Sequence, residues 1–379
     1  AGATLGESVD ESTNLSDTQV ARLVSAGTAA PSGGNSQPWR YEIDDAAMHI
    51  RLDIERAANT FDVTGRGALL ALGASAENIL LTAPTLGLSP QLGLSGHTPE
   101  TFHAHIAFRA NEKPDFDPRL VQAIPARRTS RTDSGRQRLE AAKLRSFGEL
   151  ATGYGSEIEW LTDADDLREL GDILGEGDRI RALCPLLHGE MFGEVRWTHD
   201  EAERSRDGLV LDSLGLTEAE QAGMSLLRRC DVAETLRSGA GAMRLRTTAV
   251  RQLNSASAVG LLSVPGSTPS DAFTGGRAIQ HLWLQATIEH IGWHPMTALI
   301  YMFDLLDAPA QDTVFNKGES ASLRNLRDRF NSLLPASLDQ QRLMLFRLCD
   351  HDDSTVPSLR RRAEDVCVDR RTSQARGSE

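Results

Sequence analysis

Lysine, cysteine and aromatic side chains are scarce in this 379-residue sequence. Only three of the 40 basic residues are lysines, so an excess of arginine is a property of the whole chain and does not by itself indicate a function. The four cysteines lie far apart and form no Cys-x-x-Cys pair, which argues against a zinc site and a disulfide framework. We therefore expect reduced thiols and a cytoplasmic protein.

Long apolar runs are also missing. No uninterrupted apolar segment approaches the ~20 residues that a membrane-spanning helix needs, and the polar start, residues 1–14, has no signal-peptide pattern. The net charge is −13, so the molecule as a whole repels nucleic-acid backbones and anionic membranes. We expect neither as a partner, and we interpret local arginine clusters as sites for small anions.

The composition that is present, 40% apolar and 25% charged, is ordinary for a globular protein, and the length predicts two or three domains or one two-lobed domain. A long apolar helix ending in Gly-x-x-Pro occurs twice, at a separation of 205 residues (284 − 79). The matching positions are Ile79, Leu86, Gly87 and Pro90 in the first copy and Leu284, Ile291, Gly292 and Pro295 in the second. This echo fits either an internal duplication, in which one chain imitates a two-fold dimer, or a chance agreement of apolar positions.

The segment 30–39 connects a helix, predicted by the capping-box pattern of residues 16–19, to a strand of alternating apolar residues. Its two adjacent glycines let the backbone approach a flat or anionic ligand closely. Ser32, Asn35 and Gln37 supply short polar groups beside them. Composition alone favours a plain helix-to-strand loop, because proline, serine, glycine and asparagine are common in any loop.

A second polar segment, residues 127–131, places three arginines, a threonine and a serine in five positions. Guanidinium and hydroxyl groups at this density suit a phosphate dianion, which they bind through charge-assisted hydrogen bonds. A solvated basic turn is the alternative in a chain so rich in arginine.

The order Ala-Pro-Ser-x-x-Asn-x-Gln-Pro-Trp over residues 30–39 resembles the flavin-contacting loop of FMN-dependent nitroreductases. In that family the loop reaches across a dimer interface to the ribityl chain and ring of the flavin. The residues that the resemblance implies as FMN contacts are Pro31, Ser32, Gly33, Asn35 and Gln37.

Three further segments extend this resemblance. Arg127, Thr129 and Arg131, with Arg128 between them, resemble the Arg-x-Ser-x-Arg motif that holds the FMN phosphate in the family. Arg360 aligns best with a C-terminal arginine that also contacts the phosphate.

The turn after the second long helix, residues 292–298, resembles the family's Gly- and Pro-containing turn, whose backbone amides face the flavin N5. The resemblance implies Pro295, Met296 and Thr297 as cofactor-binding residues here. No catalytic side chain is expected, because the flavin itself exchanges the hydride at N5. His294 lies in the same turn, but a single histidine beside Trp and Pro is more often packed than catalytic.

Signals for other chemistry are weak. His103 and His105 project from one face of a predicted strand, but no third ligand lies nearby in the sequence, so we expect surface histidines and no metal. The sequence also has no complete dinucleotide-binding glycine motif and no nucleophile signature.

The fold that we expect is α+β and nitroreductase-like, with two fused, diverged halves and mainly antiparallel sheet flanked by helices. Residues 1–125 form the first half with the Pro-Ser loop. Residues 126–379 form the second half with the phosphate motif and a lid-like insertion at 184–255. The chain resembles the fused, Acg-type branch of the family and also nitroreductase domains attached to ThiF-like adenylating domains. A start at Ala1 without methionine fits an excised domain of the second kind.

These resemblances imply an oxidoreductase in which NAD(P)H, either NADH or NADPH, reduces FMN and the flavin then reduces a small organic acceptor, such as a nitro compound or a quinone. Two alternatives remain open. One is a flavin-sequestering protein whose insertion covers the ring and leaves little turnover. The other is a redox domain that is fused to or associated with a ThiF-like adenylating domain. A homodimer is a further assembly that the resemblance allows.

Overall fold

The computed structural model describes residues 14–44, 47–131, 139–237, 240–309, 311–336, 338–351 and 356–371. The helices are α1 (Asp17–Thr28), α2 (Ile54–Ala57), α3 (Arg66–Thr82), α4 (Pro118–Ala126), α5 (Ala141–Thr152), α6 (Ala164–Leu183), α7 (Pro185–Gly193), α8 (His199–Ser205), α9 (Glu218–Leu227), α10 (Cys230–Arg237), α11 (Thr247–Asn254), α12 (Pro269–Ile288), α13 (Ala298–Asp307), α14 (Gln311–Val314), α15 (Lys317–Leu333) and α16 (Ala363–Val366). The strands are β1 (Trp39–Ile43), β2 (Ala47–Leu52), β3 (Leu88–Ser95), β4 (His103–Ala110), β5 (Glu157–Leu161), β6 (Val195–Arg196), β7 (Leu209–Val210), β8 (Ala258–Val264), β9 (Ile291–Pro295), β10 (Gln341–Asp350) and β11 (Cys367–Asp369).

Most of the strands belong to two larger sheets. The first has the order β11-β1-β2-β4-β3 and the second the order β5-β8-β10-β9. Neighbouring strands are antiparallel in both sheets except for β11, which lies parallel to β1 at the edge of the first sheet. The expected α+β architecture, with mainly antiparallel sheet flanked by helices, is confirmed.

The two sheets share one topology. In chain order, each contains two strands, then a long helix, then two more strands: β1, β2, α3, β3, β4 in the first and β5, β8, α12, β9, β10 in the second. The spatial order of the corresponding strands is also the same. The proposed division at residue 125 itself stays a prediction, and β11 comes from the end of the chain to join the first sheet.

Helices α3 and α12 pack against each other at the centre of the molecule, with backbones in direct contact. A Cβ added at Gly73 would overlap the carbonyl oxygen of Phe273, and one added at Gly276 would overlap that of Leu70. The two contacts are reciprocal, since Gly73 and Gly276 are 203 residues apart (276 − 73) and so are Leu70 and Phe273 (273 − 70). Such reciprocity is the property of an isologous two-fold interface.

A second reciprocal pair lies further along the same crossing. Glu77 is 3.5 Å from His281, and Gln280 donates a hydrogen bond of 2.7 Å to the side-chain oxygen of Asn78. These residues again correspond at a separation of 203 (280 − 77 and 281 − 78). Each of these residues of α3 therefore corresponds to the residue of α12 that lies 203 positions later in the chain.

The separation of 205 taken from the sequence is therefore wrong by two residues. Gly87 follows the short turn after α3 in the left-handed conformation (φ +72°), and His290 follows α12 in the same conformation (φ +53°), 203 residues later (290 − 87). Gly292, which the sequence echo matched to Gly87, lies within strand β9. The sequence misleads here because the echo was aligned on two Gly-x-x-Pro segments, and the same short motif stands at different structural positions in the two halves.

The segment Arg66–Leu86, α3 and the turn after it, is long and apolar enough to cross a membrane by length and composition alone. However, most of this segment is buried inside the molecule. Its apolar side chains are covered by the first sheet and by α12, as in a core helix.

Candidate functional site

A small cavity of about 180 Å³ brings together the arginines that sequence reasoning selected from distant segments. Arg127, Arg128 and Arg131, which follow α4, line it with Arg360 from the C-terminal segment. Thr129 lines it as well. Among the described residues, none of the four guanidiniums forms an ion pair with a carboxylate, and each donates to uncharged oxygens instead.

Arg127 is the most deeply buried of the four arginines. Its guanidinium lies over the ring of Trp283, 4.4 Å from the centroid, and donates weakly to the carbonyl oxygen of Ala29 at 3.4 Å. Its Nε is buried and has no hydrogen-bond partner among the described residues. Burial, together with the charges of Arg360 and Arg128, lowers the pKa of Arg127 well below its ordinary value.

The pKa values of Arg131 and Arg360 are lowered as well. Burial lowers the pKa of each to about 10, and the charge of Arg128 adds to the effect at Arg360. Arg131 donates to the carbonyl oxygen of Ser213 at 2.9 Å, while the Nε of Arg360 is buried and meets no acceptor in the part of the chain that the structure describes. Several buried like charges without counter-ions are unfavourable, and a bound dianion would relieve that cost.

The Pro-Ser loop approaches this cavity through Arg360, which donates to the side-chain oxygen of Asn35 at 2.9 Å. Within the loop, the hydroxyl of Ser32 accepts from the backbone N–H of Gln37 at 2.9 Å. Asn35 and Gln37 both have positive φ angles, +54° and +53°, which are uncommon for residues other than glycine. A Cβ added at Gly33 would meet nothing within 4 Å, so the backbone is open to a ligand there. Pro31 precedes these residues and is partly exposed.

The side-chain amides of Asn35 and Gln37 are already engaged by other parts of the chain. Asn35 donates to the carbonyl oxygens of Gly208 (3.0 Å) and Leu359 (3.1 Å). Gln37 donates to the carbonyl oxygen of Arg206 at 2.8 Å and accepts from the backbone N–H of Arg361 at 2.8 Å. The insertion residues 206–208, which we call the strap, therefore lie directly on the loop. Sequence reasoning missed this contact because backbone carbonyls accept hydrogen bonds whatever the side chain.

Asp207 anchors the middle of the strap. Its carboxylate pairs with Arg56 at 2.9 Å and with Arg196 at 2.6 Å, and Arg56 also donates to the carbonyl oxygen of Ser36 in the loop at 2.9 Å. Burial raises the pKa of Asp207, but hydrogen bonds from Arg196 and Arg56 outweigh it and hold the pKa below its ordinary value. The strap is therefore attached through an ionised carboxylate at neutral pH.

The predicted turn at 295–297 lies at the end of β9, which pairs with β10. The N–H of Met296 donates to the carbonyl oxygen of Leu345 at 2.7 Å, and the hydroxyl of Thr297 donates to the same oxygen at 3.3 Å. Pro295 has no N–H, and the backbone N–H of Thr297 has no acceptor among the residues that the structure describes. The role of the three residues toward a flavin stays a prediction.

The imidazole of His294, in the predicted turn, interacts electrostatically with Arg131 of the arginine cavity. Burial lowers its pKa well below the ordinary value, and the charges of Arg347 and Arg131 add to the effect. The imidazole is therefore neutral at physiological pH and is not a ready proton donor, as expected for a packed histidine.

The pair His103 and His105 has a third histidine beside it, contrary to the sequence expectation. His49 on the neighbouring strand has its ring centroid 6.0 Å from that of His103 and 5.3 Å from that of His105. His49 contacts Asp44 at 2.9 Å instead of converging with the other two on one point. Across the described ranges, no group of three or more His, Cys, Asp or Glu side chains is arranged to hold a metal ion.

Comparisons with known proteins find a similar protein but do not assign the chain to a family. No protein-family model matches the chain. An uncharacterized protein of Mycobacterium tuberculosis, MT1398, is 27% identical over 341 residues, which cover 89% of this chain and 47% of that protein. The chain thus spans about half the length of the curated relative it matches.

Two solved structures show a distant likeness. One is the FMN-dependent nitroreductase NfnB from Mycobacterium smegmatis in complex with NADPH (18% identity, TM-score 0.36, covering 65% of this chain and 96% of that one). The other is a nitroreductase with bound FMN from Bacteroides fragilis (15% identity, TM-score 0.31, covering 64% and 92%). Scores this low do not identify the family of the chain.

Proposed function

We propose that this chain is an FMN-binding oxidoreductase of the nitroreductase type, built from two fused halves that share one cofactor site. The observation that carries the proposal is the arginine cavity, in which four guanidiniums from two distant segments converge and no carboxylate of the described residues lines the cavity. A bound anion would offset the mutual repulsion of these charges.

The residues present fit the phosphate end of FMN. The unpartnered Nε atoms of Arg127 and Arg360 are donors that a phosphate oxygen would satisfy, and Arg128, Thr129 and Arg131 supply further donors. The cavity, at about 180 Å³, is smaller than the ~300–1,000 Å³ of pockets that enclose whole small-molecule ligands. It therefore suits the phosphate rather than the entire cofactor.

We propose that the remainder of FMN is held by residues outside the lining of this cavity. On the side of the first half these are Pro31, Ser32 and Gly33 of the Pro-Ser loop, and on the side of the second half the N–H of Thr297. Bound FMN supplies hydride chemistry at N5, so the chain's own contribution is to orient the cofactor and limit access of water and substrates. We propose NAD(P)H as the reductant and a small organic molecule as the acceptor.

Flavin content and reduction test this function directly. Purified protein should release FMN, about one per chain because there is one Pro-Ser loop and one arginine cavity, and NADH or NADPH should bleach its colour without oxygen. Extraction of FAD, or of no flavin from folded protein, would contradict the proposal.

A second function, a flavin-sequestering protein with little turnover, is favoured by the strap. Residues 206–208 occupy the amides of Asn35 and Gln37 and cover the loop. In this case FMN would be present, but NAD(P)H would bleach it slowly, while a small reductant such as dithionite would bleach it fast. A fused or associated adenylating domain stays a prediction, as does a homodimer.

A further inference from the structure

A buried column of aromatic rings lies directly beneath the arginine cavity. It consists of Trp283 from α12, Trp293 from β9 and Phe346 from β10, each at most 2% exposed. Phe346 and Trp293 stack with centroids 3.8 Å apart and planes 10° from parallel, and Trp293 and Trp283 stack at 5.8 Å and 21°. The guanidinium of Arg127 lies over Trp283, 4.4 Å from the ring centroid. Arg127 therefore lies between this column and the cavity that it lines.

The two tryptophans of the column also hold the backbone of the arginine segment. The indole N–H of Trp283 donates to the carbonyl oxygen of Arg128 at 3.1 Å. The carbonyl oxygen of Trp293 accepts from the backbone N–H of Ser130 at 2.9 Å. The same two residues thus fix both the guanidinium of Arg127 and the chain that carries it.

An aromatic face stabilises a buried arginine in a different way from a carboxylate. A carboxylate binds the N–H groups at the edge of the guanidinium and cancels its charge, whereas a ring attracts the cation from above and leaves that edge available. Among the described residues, the N–H groups of Arg127 meet only one acceptor, the carbonyl oxygen of Ala29 at 3.4 Å. Trp283 therefore stabilises the charge of Arg127 without competing with an anion in the cavity.

The framework that the two halves share does not require aromatic residues at these positions. At the separation of 203, Trp283 corresponds to Leu80 (283 − 80) and Trp293 to Pro90 (293 − 90). Neither counterpart is aromatic, although both halves have the same strand order. The two tryptophans belong to the half that carries the arginine segment, so packing of the framework alone does not account for them.

We propose that Trp283 is the positioning residue of the phosphate site. Its ring face keeps the guanidinium of Arg127 charged and directs the N–H edge toward a phosphate dianion. That this dianion is the phosphate of FMN rests on the proposed function, whereas the binding of an anion at Arg127 does not. Trp283 thereby determines how strongly the protein prefers FMN to riboflavin, which has the same ring system without the phosphate.

Titration of flavin-free protein with FMN and with riboflavin tests the proposal. Trp283→Leu removes the ring face and should weaken FMN binding at least about tenfold, with riboflavin binding unchanged. Trp283→Phe retains a ring face without the indole N–H and should restore most of the affinity for FMN. An equal loss of FMN and riboflavin binding in Trp283→Leu would indicate a merely structural role and overturn the proposal, as would unchanged FMN binding.

Fluorinated tryptophans introduced at position 283 give a second measurement in a side chain of nearly unchanged size. Each added fluorine withdraws electron density from the ring face and makes the indole N–H a stronger donor. A stepwise fall in FMN affinity from mono- to trifluorotryptophan, with unchanged circular dichroism, would therefore report the ring face and not the hydrogen bond to Arg128. A constant affinity across the series would contradict the proposal.

Inorganic phosphate separates this proposal from the proposed function. At constant ionic strength, phosphate should raise the Tm of the flavin-free parent and of Trp283→Phe but not of Trp283→Leu. Trp160→Leu is the matched control and should respond as the parent does, because Trp160 lies edge-on to Phe346 (5.7 Å, 87°) at the opposite end of the column from Arg127. No effect of phosphate on the parent, or an equal effect in Trp283→Leu, would overturn the positioning role. A Trp283-dependent effect in a protein that binds no FMN would support that role and contradict the proposed function.

Discussion

The two halves of the molecule differ most in one connection. In the first half, the antiparallel neighbours β1 and β2 are separated by only three residues of the chain. In the second half, the corresponding strands β5 and β8 are joined by residues 162–257, which contain α6 to α11 and the strap. Since the strand order of the two sheets is otherwise the same, the long connection is an addition to a shared framework.

The difference teaches how one site can be assembled from unequal halves. The first half presents the Pro-Ser loop, and the second supplies the four arginines and, through its long connection, the strap that lies on that loop. In a symmetric dimer each half would carry both features. Here the framework remains reciprocal at the helix crossing, while the surface features have diverged.

The largest expected effect concerns the shared framework. Gly73→Ala and Gly276→Ala each place a Cβ against a backbone carbonyl of the other helix, so each should lower the free energy of unfolding by about 3 kcal/mol through overpacking. Similar losses in urea unfolding would support equivalence of the two positions. Gly148→Ala in α5, where a Cβ meets nothing within 4 Å, should instead stabilise by ~0.5–1 kcal/mol. A loss at only one of the two crossing glycines would break the comparison.

The next effect concerns the arginine cavity. Arg127→Ala should weaken FMN binding by ~1.5–3 kcal/mol, the scale of a charge-assisted hydrogen bond. The flavin-free protein should be no less stable thermally, because the variant removes a buried charge that Arg128 and Arg360 repel. Arg22→Ala, at an exposed position of α1, is the control and should leave FMN binding unchanged. Unchanged affinity in Arg127→Ala would reduce the cavity to a basic surface feature.

A smaller effect is expected at the strap. Asp207→Asn removes the charge that holds Arg56 and Arg196 and should cost about 1–2 kcal/mol of strap attachment. If the strap limits access, anaerobic bleaching of the flavin by NAD(P)H should become faster by roughly tenfold, as such a free-energy change allows. Bleaching at the parent rate in a folded, FMN-loaded variant would show that the strap does not gate the site.

The smallest effect is a pH dependence within the long connection. Burial raises the pKa of Glu220, but hydrogen bonds from Arg251 and Thr217 outweigh it and lower the pKa to about 2. A carboxylate with a depressed pKa stabilises the folded state above its unfolded pKa of ~4.3, and that contribution is lost as the pH falls toward 2. Glu220→Gln should therefore cost about 0.5 kcal/mol at pH 7, given the exposure of the pair, and nothing near pH 2. A cost that does not change between these pH values would refute the assignment.

Much of the local architecture follows from short patterns in the chain. The capping box at Ser16 and Gln19 and the alternation after Trp39 correctly predict α1 and β1, with the loop between them. The cluster at 127–131 contains three of the four arginines that line the cavity in the structure. These features are local because capping, strand alternation and charge density depend on residues only a few positions apart.

The long-range contacts could not be predicted from such local sequence patterns. The strap meets the loop across more than 160 residues through backbone carbonyls of Arg206 and Gly208, and a carbonyl carries no signature in the sequence. The register of 203 between α3 and α12 is identified by two glycines that permit backbone contact, whereas the separation of 205 came from aligning two Gly-x-x-Pro segments that occupy different places in the fold. Local patterns thus define the pieces, and only packing of the complete chain selects which atoms meet, because close approach and hydrogen-bond geometry depend on all the elements at once.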